Sequence, residues 1–180
     1  MRFLLLLLTS VLWAQDGAKL HNFEIGGGGI FPINGYIANN SLSGPAGMAS
    51  YELRFLRPLG AEIGYMEGSL PGALCSRFGC EYPDFTLKLL DYGLRGHVCW
   101  RDCRVDFSVG AGGAYIWNEA YAYFANGTLF QYSGKVSVAL DRGKHFRLAG
   151  TVRTYRDLGR PTQQWLTTTG SFIFSFGRRR

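Results

Sequence analysis

From about residue 23 to the end of the chain, apolar and polar residues trade places at every second position, and helical spacing is almost absent. Eight segments carry the alternation: Phe23–Phe31, Met48–Leu56, Leu59–Gly68, Asp84–Arg95, Arg104–Trp117, Leu129–Leu140, His145–Arg156 and Gln164–Phe176. Each is about 9–14 residues long. Strands of ordinary globular proteins run about 5–6 residues, whereas tilted strands that cross a bilayer need about 9–11. Segment length therefore narrows the choice more than composition does.

The connections add a second regularity. NGYIANNSLSGPAG and SLPGALCSRFGCEYP are long, as is Asn118–Thr128, whereas Arg57-Pro58 and DRGK at Asp141–Lys144 are tight. Gly96–Cys103 is intermediate, and Leu158–Gln163 is shorter than strict alternation would give. Long and short connections thus mostly alternate, which builds one elaborate rim and one trimmed rim. The expected fold is all-β: an eight-stranded antiparallel up-and-down transmembrane β-barrel over residues 23–176.

Alternation alone leaves open which face points inward. A soluble barrel buries its apolar face, and a membrane barrel turns that face to lipid. The polar set is Glu24, Glu52, Arg54, Glu62, Asp106, Lys135, Arg147 and Arg153. A phase slip between Leu89 and Leu90, read as a β-bulge, adds Lys88, Asp91 and Arg95. These charges nearly balance and are interspersed with glycine, serine and alanine, as a narrow, filled lumen requires. Charges turned to lipid would each cost roughly 2–4 kcal/mol near the midplane. The polar set is therefore expected in the lumen. The apolar set, including Phe172, Phe174 and Phe176 of SFIFSF, is expected against lipid, with Tyr65, Phe85, Trp117 and Tyr132 in an outer aromatic girdle.

The N-terminal MRFLLLLLTSVLWAQ has Arg2 followed by an apolar run too short to span a bilayer. It reads as a signal peptide over residues 1–15, with cleavage near residue 14 or 15. Residues 16–22 form a short N-terminal segment and 177–180 a basic tail. Secretion gives the four cysteines an oxidising setting, so local Cys75–Cys80 and Cys99–Cys103 disulfides are expected. Free thiols and a metal site are the alternatives. Neither spacing is that of a zinc ribbon, and no His stands near Cys75 and Cys80. The net charge of +6 is scattered, and Arg178, Arg179 and Arg180 supply half of it, so no nucleic-acid partner is expected.

The signal peptide, eight long amphipathic strands, alternating loops and terminal SFIFSF together resemble the small eight-stranded outer-membrane barrels of Gram-negative bacteria, the OmpA and OmpX type. The resemblance covers Phe23 to Phe176. It implies a bacterial outer-membrane location and contact with outer-membrane lipids. It also implies recognition of Phe176, with Phe174 and Phe172 behind it, by the barrel-assembly machinery. The Gly177–Arg180 extension departs from the family's aromatic terminus.

No catalytic pattern surrounds His21, His97 or His145, and IGGGGI and GAGGAY lack the context of phosphate loops. No enzyme activity, cofactor or metal is expected. The chain reads as a monomeric structural or surface-adhesive protein whose lumen is plugged by paired charges. The alternatives are a secreted lipocalin-like barrel that binds an apolar ligand, and a narrow ion-conducting channel. The long loops, with Tyr36, Phe78, Tyr82, Tyr121, Tyr123 and Phe124, are candidates for an extracellular ligand.

Overall fold

A computed structural model describes residues 19–34, 43–56, 58–71, 74–76, 79–81, 84–118, 127–157 and 164–178. The expected signal peptide, the aromatic loop residues and most of the basic tail lie outside this set. The strands are β1 (Lys19–Asn34), β2 (Gly44–Leu56), β3 (Leu59–Pro71), β4 (Leu74–Ser76), β5 (Gly79–Glu81), β6 (Asp84–Trp100), β7 (Val105–Asn118), β8 (Gly127–Ala139), β9 (Phe146–Asp157) and β10 (Gln164–Arg178). Eight of them close a barrel in the order β1-β10-β9-β8-β7-β6-β3-β2, every pairing antiparallel. Strands β4 and β5 form a separate hairpin between β3 and β6, in which Cys75 and Cys80 are directly opposed in register. Closure leaves no free edge, so every barrel strand has hydrogen-bonding neighbours on both sides.

Several barrel strands run past the amphipathic segments that announce them. Strand β6 continues through Gly96, His97 and Val98 to Trp100, residues expected in a connection. That leaves only a tight turn at residues 101–104, spanned by the Cys99–Cys103 disulfide. Arg101, Asp102 and Cys103 in this turn are all left-handed, with φ of 49°, 55° and 57°.

The pleat sends alternate side chains to opposite faces. The outward side chains are apolar: Phe107, Val136 and Phe174 are 45%, 45% and 44% exposed, whereas Arg54 and Lys135 are 8% and 6% exposed. Strand β6 obeys the same rule without interruption. Leu87, Leu89, Asp91, Arg95 and His97 point inward, while Leu90, Tyr92, Leu94 and Val98 point outward. Its pairing with β3 and β7 is continuous, so there is no bulge between Leu89 and Leu90. Lys88 is consequently an outer-face residue, opposite Glu67 of β3, and not a lumen charge. The expected slip assumed that every leucine faces outward, but two of them fill the interior.

Those leucines belong to an apolar tier inside the barrel near its long-loop end. Ile30, Met48, Met66, Leu70, Leu87, Leu89, Ile116, Leu129, Tyr155 and Trp165 pack together there. The charged tier occupies the interior toward the short turns. Strands approach closely at Gly28, where a Cβ would lie 1.8 Å from the carbonyl oxygen of Thr168. At outward Gly150 a Cβ would meet nothing within 4 Å. Gly28→Ala is therefore expected to lower stability by about 1–3 kcal/mol, because backbone must move. Gly150→Ala should be neutral or slightly stabilising. Denaturant titration of the folded variants checks the contrast.

Candidate functional site

Two surfaces carry the chemistry of this barrel: a charged interior and an apolar exterior. The interior begins with parity. Glu24 on β1, Glu52 and Arg54 on β2, Glu62 on β3, Asp91 and Arg95 on β6, Asp106 on β7, Lys135 on β8, and Arg147 and Arg153 on β9 all point to the axis and are buried. Among these described residues five cations face five carboxylates. Desolvation makes an unpaired ion here cost several kcal/mol, so near-complete pairing is a condition of folding.

The pairing forms two linked groups. In the group nearer the apolar tier, Glu62 sits at the centre. It accepts hydrogen bonds from Arg95 Nε and, at 2.5 Å, from Arg153 Nη2, and it lies 3.7 Å from Lys135 Nζ. Lys135 donates to Glu24, whose other oxygen accepts from the Ser171 hydroxyl at 2.5 Å. Arg153 also donates to Asp91 at 2.5 Å, and the Tyr155 hydroxyl donates to the same oxygen at 2.9 Å. The remaining Arg95 nitrogens donate to Ser108 at 3.2 Å and Ser133 at 2.9 Å. The small hydroxyl residues thus both leave room and complete the guanidinium fork.

Nearer the turns, Arg54 bridges Glu52, at 3.1 Å, and Asp106. His97 lies between the same two carboxylates, with Nε2 2.6 Å from Glu52 and Nδ1 3.1 Å from Asp106. Arg147 reaches the Cys103 carbonyl at 2.9 Å and Ser137 Oγ at 3.0 Å, which ties the disulfide-closed turn to the barrel wall. His97 and Tyr155 were not singled out in the sequence as interior residues. His97 falls in the stretch expected as a connection, yet it shares its parity with Asp91 and Arg95, which is the signal in the sequence.

The exterior is an apolar belt. Ile25, Ile63, Leu94, Val109, Phe172 and their neighbours remain exposed around the barrel, far beyond the scattered apolar residues of a soluble surface. Phe172, Phe174 and Phe176 all lie on it, and Phe174 meets Phe146 in a tilted pair at 5.5 Å and stacks with Phe176 at 5.6 Å. Aromatic rings mark both ends. Tyr65, Tyr115 and Trp117 gather near the long-loop end, and His21, Tyr51 and Phe176 near the turns. No group of three or more metal-ligating side chains occurs among the described residues.

In the turn between β8 and β9, Asp141 accepts from the Phe146 amide at 2.8 Å and from His145 at 3.2 Å. The Phe146 amide is the main influence holding this carboxyl at about 2, below its ordinary 3.8. Because the folded value is depressed, the clasp is fully engaged above about pH 4 and is lost as pH falls through about 2. An NMR titration of the Asp141 carboxyl carbon should show that low midpoint. Within the lumen, Glu62→Gln should cost about 3–5 kcal/mol, since it leaves Arg95 and Arg153 without their shared anion. Equilibrium unfolding measures the loss.

No family model matches the sequence. No curated protein matches it either. Solved structures do match in three dimensions. Neisserial surface protein A aligns with a TM-score of 0.63 at 12% identity, over 89% of this chain and 100% of that one. The outer membrane protein OprG from Pseudomonas aeruginosa aligns at 0.60 and 11%, over 88% and 98%. Ail, the attachment invasion locus protein of Yersinia pestis, aligns at 0.54 and 10%, over 87% and 99%. With its closed antiparallel order, its ionic interior and its apolar exterior, the chain has the fold of the small eight-stranded barrels found among bacterial outer-membrane proteins.

Proposed function

We propose that this chain is an integral outer-membrane barrel with a structural or surface-adhesive role and no catalytic one, its lumen plugged by paired charges. The observation that carries the reading is the outer face. Water would have to cover exposed Phe107, Val136, Phe172 and Phe174, while five ion pairs' worth of charge stayed inside. Hydrocarbon as the surrounding solvent removes that penalty, and a closed barrel satisfies its backbone without water. A soluble barrel that stores an apolar ligand needs the opposite arrangement.

The plug has two layers. Ion pairs block the turn-side half of the lumen, and Leu87, Leu89, Ile116 and Trp165 fill the loop-side half. Function then falls to the long loops, on a rigid and closed scaffold. Ail is by its name an attachment protein and has been seen with the heparin analogue sucrose octasulfate. That likeness supports an adhesive role for an extracellular ligand here. Outer-membrane lipids are the lateral partners of a monomer, and Phe176 on the outer face of β10 suits recognition by the barrel-assembly machinery.

Refolding into phosphatidylcholine vesicles should give a band whose gel mobility changes on heating. Val136→Arg should weaken folding into the bilayer by about 2–4 kcal/mol. A folded monomer in plain buffer, indifferent to that substitution, would overturn the membrane reading. Discrete conductance steps in a planar bilayer would overturn the plug.

A further inference from the structure

Two short turns meet on one rim. The β6–β7 turn, residues 101–104, and the β8–β9 turn, residues 140–145, are joined by an Ala139 amide that donates to the Arg104 carbonyl at 2.8 Å. Lys144 of the second turn pairs with Asp102 of the first at 2.5 Å. Asp141 is engaged by the Phe146 amide and by His145. Arg101, Arg104 and Arg142 are all exposed and have no carboxylate partner among the described residues.

The rim is also built to hold a cation at one height. Trp100 ends β6 on the outer face, 57% exposed, and the Arg101 guanidinium lies 4.9 Å from its ring centroid. Leu140 on the adjoining turn and Phe146 at the start of β9, both 55% exposed, continue the greasy surface. Three successive left-handed residues are an unfavourable way to join two strands. The Cys99–Cys103 disulfide and the Arg147 and Lys144 contacts hold that conformation. At the other ends of the strands the outward charges are mixed: Glu67 faces Lys88, and Asp157 follows Arg156.

We propose that this rim binds anionic phospholipid headgroups of the leaflet facing the short turns, an inference that rests on the membrane reading above. Arg101, Arg104 and Arg142 take the phosphates, and Trp100 anchors the turn at the boundary between headgroup and acyl chain. An indole beside a guanidinium suits that boundary, since one is amphipathic and the other pairs with phosphate in a bidentate fork. A water-soluble acidic partner would gain nothing from Trp100, Leu140 and Phe146 at the edge of the same patch. Each basic side chain near an anionic surface adds attraction, and three together should give a marked preference.

The full chain, folded in mixed vesicles of phosphatidylglycerol and phosphatidylcholine, is released in native mass spectrometry and its retained lipids counted. Wild type should keep phosphatidylglycerol in preference to phosphatidylcholine. R101Q/R104Q/R142Q should lose about tenfold of that preference. K88Q/R156Q, on the opposite rim, should lose none. The wild-type preference should also fade at roughly 0.5 M salt, a readout that needs no variant. Equal retention of both lipids by wild type, or equal losses in the two variants, would overturn the inference while leaving the membrane reading intact. Failure to insert into phosphatidylcholine alone, seen as absent heat-modifiable mobility, would overturn both.

Discussion

The ionic side chains inside this barrel are buried, so their partners must come from neighbouring strands, and that single condition organises the molecule. Glu62 can exist at the axis only because Arg95, Arg153 and Lys135 converge on it from three other strands. Their convergence in turn demands serine and glycine at the neighbouring inward positions, where larger side chains would occupy the same volume. The register of the whole sheet is bound by this arrangement. A one-residue slip of any strand would bring its charges to the outer face and its apolar side chains into the ionic tier.

The exterior is the other half of the same constraint. Once the cations and carboxylates are drawn inward, the alternating positions must face out, and here they are phenylalanine, valine, leucine, isoleucine and tyrosine. Such a surface is tolerable only where the surroundings are themselves apolar. The two faces therefore support one functional reading together, and neither does so alone. The rims differ because the connections differ. The β6–β7 turn is spanned by the Cys99–Cys103 disulfide, tied to the wall by Arg147 and joined to the β8–β9 turn by Lys144. Toward the opposite end the interior carries a cluster of buried apolar side chains.

Strand number, antiparallel order and the outward Phe stripe were readable because a two-residue period is a direct image of the pleat. The interior was readable only in part. Polarity served as a proxy for direction, and the proxy holds where the lumen is ionic, from Glu24 to Arg153. It fails where the lumen is apolar, so Leu87 and Leu89 suggested a bulge that does not exist and Lys88 was given the wrong face. Counting parity back from Asp91 would have placed all three. His97 was hidden for a different reason: glycine at position 96 looks like the end of a strand, yet pairing to Leu59 and Val109 carries β6 onward to Trp100.

What the linear order of residues determined, then, is the alternation, and with it which atoms share a face. It could not say which carboxylate meets which cation, because ion pairs such as Arg153 with Asp91 and Lys135 with Glu24 join residues far apart along the chain. Those partnerships depend on strand stagger and on the curvature of closure, which exist only once β1 has paired with β10. The same holds for the two-tier interior and for the rim that carries Arg101, Arg104 and Arg142 on adjoining turns. Each is a property of circumference, and a sequence has none until the sheet closes.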